Sequence, residues 1–101
     1  MTYDQLRLDL PAILRIPTLG GKRMLTIQNP PAGNLLAVNS QGGTYQISRG
    51  DWESALVLRR RHRGSPWKSS HYCEVGEFFS YGLIHAAALL RHLERVGAAA
   101  A

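Results

Sequence analysis

A chain of 101 residues, 45% of them hydrophobic, has the mass for one core, and a single domain is expected. Twelve Lys and Arg against seven Asp and Glu give a net charge of +5, which favours acidic partners such as nucleic acid, anionic lipid or an acidic protein. No apolar run approaches the roughly 20 residues of a bilayer span, which excludes an integral helical membrane protein. No charged-then-apolar leader stands at the start, and the single Cys73 gives no disulfide framework, so a cytoplasmic, reducing compartment is expected.

In chain order, Thr2 to Leu8 could form a helical turn capped by Thr2. Asp9-Leu10-Pro11 reads as the better start signal, because proline is tolerated in a first turn. A short helix is therefore expected at about 9–15, stopped by Pro17 and Gly20-Gly21. Lys22 to Gln28 alternates as a half-buried strand with Leu25 and Ile27 inward. Residues 29–34 form a loop. Leu35 to Asn39 is a second strand, read with Leu36 and Val38 inward. Ser40 to Gly43 is a turn, and Thr44 to Ile47 a third strand with Tyr45 and Ile47 inward.

Ser48 caps a helix from about Asp51 to His62, on which Trp52, Ala55, Leu56 and Leu58 share one side. Residues 64–79 form an irregular segment given apolar weight by Trp67, Tyr72, Phe78 and Phe79. Ser80 caps the last helix, Tyr81 to Val96, which Gly97 ends. Its main apolar stripe is Gly82, Leu83, Ala86, Leu89, Leu90, Leu93 and Val96. The expected architecture is α+β: a three-stranded antiparallel meander, packed on one face by two principal helices, with a short N-terminal helix. Residues 1–97 make one compact domain, and Ala98 to Ala101 a flexible or appended tail.

Arg59, Arg60, Arg61, Arg63 and Lys68 fall within ten residues, and no acid stands between Glu53 and Glu74. These five are candidate phosphate contacts, with Trp67 as a candidate for stacking on a base. The competing reading is a solvated helix end whose cations complement the dipole, with the Arg59 and Arg63 stems lying over the core edge. The outward set of the meander (Met24, Thr26, Gln28, Leu35, Ala37, Asn39, Thr44 and Gln46) carries no charge. Gln28, Asn39, Thr44 and Gln46 are candidates for base contact, since Asn and Gln pair with adenine edges. Lys22, Arg23 and Arg49 stand at strand ends, within reach of backbone phosphates. In outline, this order of sheet and following helix resembles the sheet-reading DNA-binding domains of some phage integrases and plant transcription factors. The likeness implies DNA contact through the sheet.

A second stripe on the last helix, Tyr81, His85, Ala88 and His92, is a candidate interface for a homodimer that would weaken below about pH 6 as its histidines charge. His71, Cys73, Glu74, Glu77 and His85 are of metal-ligand type, but their spacing matches no zinc pattern, and no metal, cofactor or catalytic residue is assigned. The leading expectation is a small non-catalytic nucleic-acid-binding protein, for DNA more than RNA, acting as a dimeric regulator. One alternative is a protein-interaction module or inhibitor from a phage or mobile element. Another is a small ribonuclease-like toxin using Arg61, His62, His71 and Tyr72.

Overall fold

The computed structural model describes residues 1–72 and 81–97. Expectations for Cys73, Glu74, Glu77, Phe78, Phe79, the Ser80 cap and the alanine tail lie outside the described residues. The elements are α1 (Tyr3–Asp9), β1 (Ile13–Pro17), β2 (Met24–Gln28), β3 (Leu35–Asn39), β4 (Thr44–Ile47), α2 (Arg49–Arg61), a 3₁₀ turn at Ser69–His71, and α3 (Tyr81–Arg95). The class is α+β, as the periodicity implies. The sheet has four antiparallel strands in the order β1-β2-β3-β4, rather than three.

The extra strand replaces the helix expected at 9–15. Thr2 and Gln5 form a capping box that starts the helix earlier: the Thr2 hydroxyl accepts from the Gln5 amide at 3.1 Å, and the Gln5 side chain accepts from the Thr2 amide at 2.9 Å. Pro11 then acts on the residue before it. Leu10 is held extended, at φ −74° and ψ 140°, and the helix ends at Asp9. Beyond it, Leu14 and Ile16 alternate toward the core opposite Ile27 and Leu25. Pro17 is accommodated because β1 is an edge strand.

The inward faces of β2 and β4 are as expected, with Leu25, Ile27 and Ile47 fully buried and Tyr45 half-buried. β3 is turned over: Leu35 and Ala37 are buried, while Leu36 and Val38 lie half-buried on the outer face. Leu-Leu-Ala-Val is apolar at both parities, so hydrophobicity does not choose between its faces. Tertiary contacts choose. The Leu35 amide donates to the Tyr3 hydroxyl at 2.9 Å, and that hydroxyl donates to the Ile47 carbonyl at 2.5 Å, tying α1 to the end of the β3–β4 pair.

α3 is the central element. It packs against β1, β4 and α2, and six consecutive residues, Ala86 to Arg91, are buried around its full circumference. α2 starts with the predicted Ser48 cap, whose hydroxyl accepts from the Asp51 amide at 3.1 Å, and it buries Trp52, Ala55 and Leu58. α2 and α3 run side by side in the same direction. Gly82, near the start of α3, approaches Asp51 near the start of α2 so closely that a Cβ would overlap the Asp51 carboxylate and the Gln46 carbonyl. Near their far ends, Arg59 pairs with Glu94 at 3.0 Å.

Candidate nucleic-acid interface

The parallel helices sort the charges. Arg91 of α3 is 5% exposed and donates to the Thr18 and Leu19 carbonyls, at 2.5 and 2.7 Å, in the β1–β2 turn. The C-terminal ends of α2 and α3 therefore lie at the same end of the molecule as that turn. Arg60, Arg61 and Arg63 stand at that end, Arg60 with its Nε donating back to the Leu56 carbonyl at 3.5 Å, joined by Arg95 and by Lys22 and Arg23 of the turn, all exposed. Among the described residues Glu94 is the one carboxylate at this end, and Arg59 holds it. Asp4, Asp9, Asp51 and Glu53 lie at the opposite end with Arg7 and Arg49. There Arg49 pairs with Asp4 at 2.8 Å, and its guanidinium holds the Asp4 carboxyl below its ordinary value.

The five cations expected to contact phosphate divide into two kinds. Arg60, Arg61, Arg63 and Lys68 are exposed, and no described carboxylate pairs with them. Arg59 is half-buried and committed internally. Besides Glu94, it lies over the Trp67 ring at 4.3 Å, and Trp67 stacks on Tyr72 at 5.3 Å. Trp67 thus fastens the segment after α2 to the helix pair, instead of standing free for a base. Two histidines continue this fastening: His62 and His71 stack at 3.9 Å with their planes 5° apart. Partial desolvation, with the nearby charges of His71 and Arg61, holds His62 below its ordinary pKa.

The residues proposed to read bases do not form one surface. Gln28 and Gln46 share an outer-face row with Leu36, toward the carboxylate end and away from the arginines. The Asn34 amide also donates to Gln46 Oε1 at 3.1 Å. Thr44 is exposed beside Val38, nearer the basic end. Asn39 leaves the outer face altogether: it pairs with Leu25 in the inward row, and its Oδ1 accepts from the Gln41 and Gly43 amides at 3.0 and 2.8 Å. This follows from the reversed parity of β3. The fourth strand also brings Arg15 to the outer face beside Thr26, so that face is not charge-free.

Part of the second stripe of α3 packs within the chain. Ala88 is 1% exposed, and His85 is half-buried with its ring 5.0 Å from Tyr45, where burial lowers its pKa. Tyr81 is exposed but also packs on Tyr45, at 5.5 Å. His92 is half-buried. Packing against the sheet explains why α3 is apolar over more than one face without invoking a second chain. Neither a protein-family model, a curated protein nor a solved structure matches the chain. Among the described residues, no three His, Cys, Asp or Glu gather closely enough to hold a metal ion, and no helix is long and apolar enough to cross a membrane.

Proposed function

We propose that this protein is a small non-catalytic DNA-binding protein that grips the phosphate backbone with the basic end, chiefly through Arg60, Arg61, Arg63 and Lys68. One observation carries the reading: the parallel α2 and α3 collect at one end cations that no described carboxylate pairs with, and leave most of the described carboxylates at the other. Guanidinium groups recognise phosphate with directed hydrogen bonds as well as charge. Their separation from the Gln28 and Gln46 row supports recognition of the backbone over reading of base sequence.

The test is fluorescence anisotropy of the full chain on labelled duplex DNA across a salt series. Binding should be sub-micromolar at low salt and fall steeply as salt rises, by about 0.9 logarithmic units of affinity per decade of salt for each phosphate contact. Arg60→Ala with Arg61→Ala should lower that slope by roughly two, whereas Arg59→Ala should act mainly on stability. Binding no tighter than about 10⁻⁴ M would discard the reading.

A second reading is favoured by the outer sheet face, where Ile13 is 63% and Met24 42% exposed with no described helix over them. A partner protein covering this face would make the chain an interaction module. A stable heterodimer whose formation is abolished by Met24→Lys, together with weak DNA binding, would select that reading.

A further inference from the structure

We infer that the basic end is a two-ledged clamp for duplex DNA, in which Lys22 and Arg23 form a second phosphate-binding ledge held in place by buried Arg91. The inference rests on the DNA-binding reading and adds the form of the target and a positioning residue. The first ledge is the end of α2, with Arg60, Arg61 and Arg63. The second is the β1–β2 turn, where the Thr18 amide donates to the Arg23 carbonyl at 2.8 Å and Gly21, at φ 78°, lets the chain reverse.

Arg91 explains why the turn is a fixed ledge. Burying a guanidinium without a carboxylate is unfavourable, and burial lowers its pKa here. Its only hydrogen-bonded partners among the described residues are two carbonyls of this turn, and its Nε is buried without a partner. Such an arrangement is a costly way to fill a core position, where Leu or Met would pack as well. It is an effective way to lock a loop against a helix. The same α3 is locked to α2 by the Arg59–Glu94 pair, so both ledges are referred to one rigid element.

α3 lies between the ledges, packed on α2 on one side and tied to the β1–β2 turn by Arg91 on the other, so they stand one helix–helix step of roughly 8–10 Å and a second step of about the same size apart. That separation exceeds the major-groove width of about 12 Å in B-form DNA, so long side chains can reach inward to the backbones on both rims. A single strand offers no such pair of rims. Trp67, which could otherwise have supplied base stacking, is held by Arg59 and Tyr72.

The experiment compares a labelled DNA duplex with its separate strand and with duplex RNA, over the same salt series and on the full chain. The expected result is tighter binding to duplex DNA than to either other probe. In Lys22→Ala with Arg23→Ala, a surface variant, the salt slope should fall by about two. Arg91→Met should reproduce that fall, and Arg91→Lys should restore part of it. Should Arg91→Met fail to fold, the surface variant decides alone. An unchanged slope in that variant, with the slope still lowered by Arg60→Ala and Arg61→Ala, would overturn the second ledge and leave the DNA-binding reading standing. Equal or tighter binding of single strands or duplex RNA would overturn the duplex-DNA clamp. Absence of binding to every probe would overturn both.

Discussion

Removing one oxygen from Tyr3 tests how α1 is joined to the sheet. The hydroxyl donates to the Ile47 carbonyl and accepts from the Leu35 amide, and Leu35 and Ile47 are strand partners with no solvent exposure. Tyr3→Phe keeps the ring and its packing but leaves two buried backbone groups without their shared partner. Each such group costs about 1–3 kcal/mol, and partial closure of the strand ends recovers some of it, so a loss of about 2–4 kcal/mol is expected. For a chain of this size that lowers the melting temperature by roughly 10–20 °C. The assay is urea denaturation followed by tryptophan fluorescence, for which buried Trp52 is a built-in probe. The midpoint should move with no change in the dependence on denaturant. Hydrogen exchange at the Leu35 amide should accelerate. A loss below about 0.5 kcal/mol would refute the bridging role, since ordinary surface substitutions fall in that range.

Gly82→Ala should destabilise by about 1–3 kcal/mol, because the new methyl meets the Gln46 carbonyl, which is backbone and cannot swing away; calorimetry checks it. His85 is held below its ordinary pKa by burial, so the unfolded chain binds its proton first as pH falls. Stability should therefore be complete above about pH 6.5 and decline below it until the folded form also protonates; His85→Gln should flatten that decline in pH-dependent denaturation. Trp67→Phe should leave duplex DNA affinity within about twofold, because the ring is engaged internally; a tenfold loss, 1.4 kcal/mol, would reinstate base stacking. Asn29→Ala should weaken the fold by about 1–2 kcal/mol in urea titration, since its amide donates to the Arg7 and Leu10 carbonyls at the end of α1.

Legibility in the sequence follows how local each signal is. α2 was readable because Ser48 and the Trp52, Ala55, Leu58 spacing act within a few residues of one another, and α3 because its stripe runs over four turns. β1 was not readable because Pro11 is compatible both with a helix start and with a helix stop. The choice was made by Thr2 and Gln5 nine and six residues earlier, and by pairing with β2. The parity of β3 was hidden because both of its faces are apolar and the deciding hydroxyl, Tyr3, is 32 residues away. For the site, the cluster of residues 59–68 was plain in sequence. Its division into free and committed cations was not, because Glu94 lies 35 residues beyond Arg59. The two Lys22–Arg23 cations were visible only as strand-end charges; their alignment with the α2 end depends on Arg91, which reaches back across the fold to Thr18 and Leu19, 73 and 72 residues earlier.

The sorting of charge along the helix axes also has a kinetic consequence. For the proposed DNA target, a body of 33 × 32 × 26 Å with an excess of cations at one end and most of the described carboxylates at the other is a rotor in the field of a polyanion. It turns its cationic end forward before contact, so a larger share of diffusive encounters is productive. The benefit appears in the association rate, and it fades once ions screen the field over less than the length of the molecule, from about 0.01 M salt upward. Moving a single positive charge from one end to the other, at constant net charge, should slow capture while leaving the isoelectric point nearly where it was.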